Sequence, residues 1–265
     1  MKHILISITM MGTAFVANGQ SCPDNNHPHA IDLGLPSGTK WACCNVGAAT
    51  PEDSGDYYAW GETEKKEIYD WTTYVHCDGS METCHDLGSD IAGTEYDVAH
   101  VQWGASWVMP SQDQFKELCN NCSYTWTIMN GVSGNLFTGP SGSTIFLPEA
   151  DFWRRHDEPD EETDELPSAG YYWASMQRVS NSSHASSLLF SSGHTYWDSY
   201  NYRCLGLTVR PVISRTSNII LSKSSTDDDT HAVYNVRGIK VASSPAHMKT
   251  LLPGIYIRQG RKVVK

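Results

Sequence analysis

Cysteine and histidine are the residue types of this chain best suited to chemistry, and one group of them has suggestive spacing. His76-Cys77 and Cys84-His85 flank a six-residue loop, and two thiolates with two imidazoles could hold a tetrahedral zinc ion. The N-terminus predicts that the chain is exported, and neighbouring cysteines of exported proteins usually oxidise to a disulfide. The sequence therefore favours a local disulfide between Cys77 and Cys84 over a zinc site.

A second pair, Cys119-Asn-Asn-Cys122, has the spacing of a redox motif. It lies at the end of a predicted helix and lacks the strand-to-helix context of a thioredoxin site, which favours a structural role. Cys204 is the only cysteine in the last third of the large domain, whereas an oxidase of the formylglycine-generating type needs two thiols there. His100 is interpreted as a structural histidine. The sequence thus predicts no enzyme, no catalytic residue, no metal and no cofactor.

The strongest functional signal is a run of polar and aromatic residues near the end of the large domain. Between Ser180 and Cys204, 17 of 25 residues are Ser, Asn, His, Tyr, Asp or Thr, and Lys, Glu, Gln and Met are absent. Tyr and Trp provide a large, rigid contact area at low entropic cost. We therefore predict a ligand-binding surface in this segment. Its predicted exposed contact residues are His184, His194, Tyr196, Asp198, Tyr200, Tyr202 and Arg203.

The residues around this surface are predicted to hold it in place. Trp173 and Trp197 are predicted to be packed, and Leu205, Leu207 and Val209 are predicted to alternate inward along a closing strand. The composition of the segment is similar to that of variable regions diversified by retroelements. Two alternatives stay open: a Ser- and Tyr-rich sheet that merely faces water, and aromatic residues that form the ordinary core of a β domain.

The N-terminus predicts an export signal over residues 1–19. Lys2 and His3 precede an apolar run from Ile4 to Ala17, and small residues follow near the expected cleavage point. The run is too short to span a bilayer. The sequence therefore predicts an exported protein of the cell surface or the extracellular space, with lipoprotein processing at Cys22 as the alternative.

Charge divides the chain into two parts. Residues 232–265 contain seven Lys or Arg and no acidic residue, so this segment is +7 while the whole chain is −11, which leaves −18 for the remainder. We predict a large domain over 28–213, a linker over 214–231 and a basic β module over 232–265. An exported, acidic large domain makes nucleic acid a poor partner.

Local patterns predict few helices and many strands. Ser111-Gln-Asp-Gln114 is a capping-box pattern that predicts a helix over 111–120, and a second short helix is predicted over 97–102. Ile31 to Trp41 predicts two short strands around a Pro-Ser-Gly turn, and short strands and turns continue from Trp126. Because no strand–helix alternation is present, we predict an α+β fold.

Three further segments have a clear pattern. Residues 157–165 contain seven acids in nine positions, and their spacing is not that of an EF-hand, so a solvated loop is favoured over a Ca²⁺ site. In the basic module, 233–241 and 254–265 each predict a strand, a turn at glycine and a second strand.

Five ordered segments between Ala30 and Ile213 resemble a known family. They are Ile31-Asp-Leu-Gly-Leu-Pro-Ser-Gly-Thr-Lys-Trp-Ala-Cys-Cys-Asn-Val-Gly47, Tyr57-Tyr-Ala-Trp-Gly-Glu62, Ala99-His-Val-Gln-Trp-Gly-Ala-Ser-Trp-Val-Met-Pro110, Ile145-Phe-Leu-Pro148 and Leu207-Thr-Val-Arg-Pro211. In them the chain resembles the FISUMP family, the Fibrobacter succinogenes major paralogous domain. The resemblance implies an exported, cell-surface protein of Bacteroidetes with a C-type-lectin-like fold, and it implies no reaction.

The same resemblance implies a disulfide between Cys44 and Cys122, and the tail from Val233 resembles a shortened type IX secretion sorting module. We therefore expect an exported recognition protein whose partner is a protein or a glycan. The alternative is a structural surface or adhesin subunit that docks onto an envelope partner through residues 232–265. A third hypothesis is an oxidase of the formylglycine-generating type.

Overall fold

The computed structural model describes residues 26–104, 106–152 and 168–213, together with strand segments at 233–235, 240–242, 255–258 and 261–264. Two compact units divide the chain, Met1–Ser214 and Arg215–Lys265. The predicted export signal over 1–19, the acidic run over 157–165 and the linker over 214–231 lie outside the described residues.

Short strands account for most of the regular structure. The strands are β1 (Ala30–Asp32), β2 (Lys40–Ala42), β3 (Ser123–Met129), β4 (Val132–Thr138), β5 (Thr144–Pro148), β6 (Ala169–Gln177), β7 (His184–Ser191), β8 (His194–Tyr202), β9 (Val212–Ile213), β10 (Val233–Asn235), β11 (Lys240–Ala242), β12 (Ile255–Arg258) and β13 (Arg261–Val264). The helices are α1 (Val98–Trp103) and α2 (Gln112–Asn121), with one 3-10 turn at Met81–Thr83.

The predicted α+β class with a C-type-lectin-like domain is wrong, because the chain has a mainly-β fold. The helices have six and ten residues, whereas the strands form three three-stranded sheets and one four-stranded sheet. Every ladder between these strands is antiparallel. Both helices stop early for local reasons, since Gly104 ends α1 with φ 88° and Cys122 ends α2 in an extended conformation. In the described part of the chain, neither helix is long and apolar enough to cross a membrane.

Both predicted helices are present, and side chains fix where they begin. The Ser111 hydroxyl accepts from the Gln114 amide at 3.2 Å, and the Gln114 side chain accepts from the Ser111 amide at 2.8 Å. This is the predicted capping box. The Asp97 carboxylate caps α1 by accepting from the amides of Ala99 and His100.

We expect Ser111→Ala to lower the free energy of unfolding by about 1 kcal/mol, because the Gln114 amide then loses its capping partner. Urea denaturation followed by circular dichroism measures this change. Ser192→Ala, in the exposed turn between β7 and β8, is the matched control and should leave the midpoint unchanged. An equal shift in both variants would show that the cap contributes no specific stability.

The predicted strand–turn–strand of residues 31–41 is confirmed. β1 pairs with β2 in the register Ile31↔Trp41, and the Gly38 amide closes the turn on the Leu35 carbonyl at 2.8 Å. β9 joins the other edge of β2, so these strands form the sheet β1-β2-β9.

The sheet β6-β7-β8 is the centre of the first unit and is covered on both faces along β6. One face packs on α2 and on the sheet β3-β4-β5 through Tyr172, Leu188 and Phe190. The other face, with Tyr171 and Trp173, packs on an apolar cluster of its own. Trp173 is fully buried, as predicted. This double cover leaves β8, at the edge of the sheet, as the strand that reaches solvent.

The closing segment after β8 does not alternate as predicted. Leu207, Thr208 and Val209 are all buried, whereas Leu205 is only partly buried. Their backbone groups bond to different neighbours: Leu207 bridges Tyr58, and the Trp173 amide donates to the Thr208 carbonyl at 3.0 Å. The segment therefore runs through the interior with no solvent side, and the regular strand β9 begins only at Val212.

The second unit contains a four-stranded antiparallel sheet in the order β11-β10-β12-β13. The predicted strand–turn–strand of 233–241 corresponds to β10 and β11, and that of 254–265 to β12 and β13. The predicted strands are therefore present, whereas the predicted turns at glycine lie outside the described residues.

Candidate functional site

Most of the predicted contact residues lie on β8. This strand pairs with β7 from Ser191↔His194 to His184↔Tyr202, with an irregularity between Ser187↔Ser199 and Leu189↔Tyr196. Between these pairs, Trp197 and Asp198 of β8 lie opposite the single residue Leu188 of β7, so β8 carries one extra residue. The bulge shifts the alternation of side chains and divides the predicted contact residues between the two faces of the sheet.

His194 and Tyr196 lie on one face, before the bulge. Their rings are stacked with an interplanar angle of 5° and a centroid distance of 6.2 Å, and Tyr196 is 45% exposed. Tyr196 pairs across the ladder with the partly buried Leu189, which belongs to the cluster under this face. The stacked pair of His194 and Tyr196 thus lies over a packed apolar cluster and is exposed to solvent on its other side.

Tyr200 and Tyr202 lie on the opposite face, after the bulge. Tyr202 packs against its ladder partner His184 with ring centroids 4.4 Å apart, and Trp71 meets Tyr202 edge to face at 5.7 Å. The Arg178 guanidinium lies over the Tyr200 ring at 4.6 Å. We call His184, Tyr200 and Tyr202 the aromatic platform.

The aromatic platform is held in place by α2, and its own side chains are polar and uncharged with a cation beside them. The Gln112 side chain donates to the Tyr200 hydroxyl at 3.3 Å. Burial lowers the pKa of His184, and the nearby Arg178 cation lowers it further, so the ring is neutral at pH 7. A neutral imidazole and tyrosine hydroxyls both donate and accept hydrogen bonds, which suits them to a polar, uncharged ligand surface.

Trp197 and Asp198 occupy the bulge of β8. Trp197 is half-buried against the core, as predicted, and the Lys116 ammonium lies over its ring at 4.9 Å. Asp198 beside it is exposed. A carboxylate therefore stands between the stacked pair of His194 and Tyr196 and the aromatic platform.

Arg203 was predicted to be exposed, and this prediction is wrong. Its side chain is fully buried, and its guanidinium donates to the Tyr74 hydroxyl at 2.8 Å and to the carbonyls of His85 and Ser182 at 3.0 Å. The guanidinium also lies over the Trp60 ring at 4.7 Å. Burial raises the pKa of Tyr74, so its hydroxyl stays neutral and accepts from the cation. Arg203 therefore fixes the end of β8 from inside the fold.

The loop of His76, Cys77, Cys84 and His85 does not form a metal site. The His76 ring contacts the Gly61 carbonyl at 2.9 Å, and the Cys77 thiol donates to the Trp71 carbonyl at 3.2 Å. Cys84 donates within its own turn. Cys77 and Cys84 are both thiols in the structure, so the predicted disulfide between them is not formed there.

The pair at the end of α2 is also present as thiols. Burial raises the pKa of Cys119 to about 12 and that of Cys122 to about 11, so neither is the activated thiolate that redox chemistry requires. Because Cys122 is a thiol, the disulfide with Cys44 implied by the family resemblance is not formed in the structure. Burial raises the pKa of Cys204 too, which does not favour oxidase chemistry at that residue.

One group of chemically capable residues was not predicted. His27, Cys43 and Cys44 bring their ligand atoms within 4.8 Å of one another, and within the described ranges no other group of three potential ligands does so. A hydrogen bond from Cys44 lowers the pKa of Cys43 to about 4, and further hydrogen bonds from His29 and His27 act in the same direction against burial. The sequence signals were His27-Pro-His29 and the adjacent pair Cys43-Cys44.

Comparison of the chain with family models, with curated proteins and with solved structures finds no match. The resemblance to the FISUMP family therefore stays a prediction from the five sequence segments. What the chain does is argued from the geometry of β8 and its neighbours.

Proposed function

We propose that this chain is an exported recognition protein of the cell surface, which binds a protein or a glycan along the edge strand β8. The observation that carries the proposal is the partial exposure of large aromatic side chains on a strand held firmly by its neighbours. Tyr196 is 45% exposed and Tyr202 is 42% exposed, whereas Tyr172 and Trp173 on β6 of the same sheet are fully buried.

The fixed positions of the aromatic rings favour a binding surface over a sheet that only faces solvent. Tyr202 is fixed by His184 and Trp71, and Tyr200 is fixed by Arg178 and Gln112. Binding costs less conformational entropy when the contact side chains are already ordered. Aromatic side chains of this kind also provide much of the binding energy where they lie at the centre of an interface.

The chemistry of the surface favours a polar ligand of low charge. The platform offers a neutral imidazole and two tyrosine hydroxyls, with one cation at Arg178 and one carboxylate at Asp198. Such a mixture favours hydrogen bonding over charge attraction. It agrees with the acidic balance of the large domain, which makes phosphate-rich polymers poor partners.

Tyr196→Ala combined with Tyr200→Ala is expected to weaken binding at least about tenfold, or roughly 1.4 kcal/mol, while the melting temperature stays nearly unchanged. The two changes remove one ring from each face of β8. Wild-type protein is first screened on a glycan array and in pull-downs from surface extracts, and affinities for the ligand found are then measured by calorimetry.

Tyr124→Ala is the matched control, because Tyr124 is a tyrosine of similar exposure, 40%, on the separate strand β3. It should leave the affinity at the wild-type value. Equal loss of affinity in the control, or a large fall in melting temperature for the double variant, would place the binding surface elsewhere.

Active diversification of residues 180–204 is part of the same proposal. The residue types that dominate this segment are those produced by changes at the adenines of Asn-type codons, and Lys, Glu, Gln and Met are absent. A reverse-transcriptase gene and an adenine-variable template copy near the coding sequence would support diversification. Their absence would remove diversification and leave the recognition role intact.

A further inference from the structure

The entry to β1 and the exit from β2 bring two imidazoles and two thiols together. Nδ1 of His27 lies 3.1 Å from Sγ of Cys43, and Nδ1 of His29 lies 3.7 Å from the same sulfur. The thiol of Cys44 belongs to the same group, within 4.8 Å of the His27 and Cys43 ligand atoms. Three potential ligand residues, His27, Cys43 and Cys44, therefore converge, and the His29 ring lies beside one of the two sulfurs.

Strand pairing produces this convergence. β1 and β2 pair in the register Ala30↔Ala42, and the ladder continues one step outward, where the Cys43 amide donates to the His29 carbonyl at 3.0 Å. His27 lies before this step, across a cis peptide bond to Pro28, and its ring lies beside that of His29. The two rings meet edge to face at 5.2 Å.

The spacing fits a tetrahedral ion with soft ligands. With Zn–S of about 2.3 Å and Zn–N of about 2.0 Å, tetrahedral ligation puts nitrogen and sulfur roughly 3.5 Å apart. The two measured nitrogen–sulfur distances, 3.1 and 3.7 Å, lie on either side of that value. Two thiolates with two imidazoles are the ligand set that zinc adopts in closed structural sites.

Burial and hydrogen bonding also suit a bound ion. Cys43 and Cys44 are fully buried, whereas both histidines are partly exposed, so an ion can enter from the histidine side. The His29 amide donates to Sγ of Cys43 at 3.1 Å, which orients that sulfur and stabilises negative charge on it. The site thus has ligands, an entry path and one supporting hydrogen bond.

We propose that His27, Cys43 and Cys44 bind one thiophilic d¹⁰ cation, Zn²⁺, with the neighbouring His29 as the fourth ligand. This structural site fastens the start of the domain to the end of β2. The two thiols release their protons to solvent when the ion binds, and no oxidation occurs. The proposal is independent of the recognition function, because the site lies on the sheet β1-β2-β9 and not on the sheet that contains β8.

The test uses the full chain, reduced with a non-coordinating phosphine, and titrates Co²⁺ followed by Zn²⁺. We expect thiolate-to-cobalt charge-transfer bands and the visible bands of tetrahedral Co²⁺, both removed by one equivalent of Zn²⁺. Competition with a chromophoric chelator then gives the zinc affinity, and the melting temperature should rise with zinc because only the folded chain holds the site.

His27→Ala with His29→Ala is the decisive variant, because both rings are partly exposed and their loss does not open the core. It should lose the tetrahedral cobalt spectrum and at least about 100-fold in zinc affinity, since even outer partners of ligands are worth about 10–100-fold. His76→Ala with His85→Ala is the matched control, with the same residue types beside cysteines that do not converge. It should bind zinc as the wild type does.

Three outcomes would overturn the proposal. The first is an unchanged cobalt spectrum in His27→Ala with His29→Ala. The second is a Cu⁺ complex in a chain that takes up no Zn²⁺, which would assign the site to copper. The third is a Cys43–Cys44 disulfide in freshly isolated protein that holds no zinc. Cys43→Ser with Cys44→Ser, checked for folding by circular dichroism, should abolish the charge-transfer bands if the sulfurs are ligands.

Discussion

Arg203→Ala is expected to lower the free energy of unfolding by about 3 kcal/mol or more. The change removes the donor for the Tyr74 hydroxyl and for the carbonyls of His85 and Ser182. A hydrogen bond to a charged group contributes about 1.5–3 kcal/mol, and three are lost at once, one to the buried Tyr74 hydroxyl and two to part-buried carbonyls. The Trp60 ring also loses the cation that covers it.

Urea denaturation at constant pH measures this effect. Arg203→Lys should recover little of the loss, because an ammonium cannot reach three acceptors with the fork of a guanidinium. Arg178→Ala is the control, since Arg178 is only partly buried and covers one face of Tyr200. If Arg203→Ala lowered the free energy of unfolding by less than about 1 kcal/mol, the cost of desolvating the buried cation would nearly equal the stabilisation from its contacts.

Phe190→Ala is expected to cost about 3–5 kcal/mol, the range for truncating a buried aromatic ring. The Phe190 side chain is fully buried, stacks on Tyr172 with centroids 5.7 Å apart and meets Trp126 at 6.3 Å. It also covers Gly170, its partner across the β6–β7 ladder, where an added Cβ would collide with the ring. Its loss opens a cavity in the centre of the sheet.

Chemical denaturation with an unchanged m-value is the measurement, and Ile128→Ala, at a side chain 68% exposed, is the apolar control. Ligand affinity should fall in Phe190→Ala as well, because β7 holds β8 in register. A stable Phe190→Ala variant would mean that neighbouring rings close the cavity, and the sheet would then be less rigid than its packing indicates.

Local signals were enough to predict the helices and turns. The capping box at Ser111 and the Pro-Ser-Gly turn before Lys40 are contained in a few adjacent residues, and the structure has both. The fold class was wrong for a related reason. Two helix signals supported the α+β prediction, although the helices they mark have only six and ten residues.

The position of Arg203 could not be predicted from its neighbours in the sequence. Charged residues are rarely buried unless they are paired, and the polar surroundings of Arg203 favoured exposure. Two of the three groups that accept from it, the Tyr74 hydroxyl and the His85 carbonyl, are more than a hundred residues away along the chain. Only the tertiary fold brings them together.

The cluster of His27 and Cys43 was within reach of the sequence and was missed. The predicted turn already placed Ile31 opposite Trp41, and two further steps along that ladder place His29 opposite Cys43. The register predicted for β1 and β2 was therefore enough to predict contacts between residues just beyond the two strands. The family resemblance instead assigned Cys44 to a disulfide with Cys122, which left no role for the histidines across the ladder.

The extra residue in β8 has a consequence for solubility. A strand at the edge of a sheet offers unpaired amides and carbonyls to any other extended chain, and one with aromatic side chains is a template for aggregation. The bulge between the Leu189↔Tyr196 and Ser187↔Ser199 pairs breaks that edge into two short stretches, and it places the exposed Asp198 at the break. A straight β8 would present the same rings on a continuous edge. The bulge therefore lets the protein expose aromatic side chains on β8 while it disfavours strand addition by other copies of the chain.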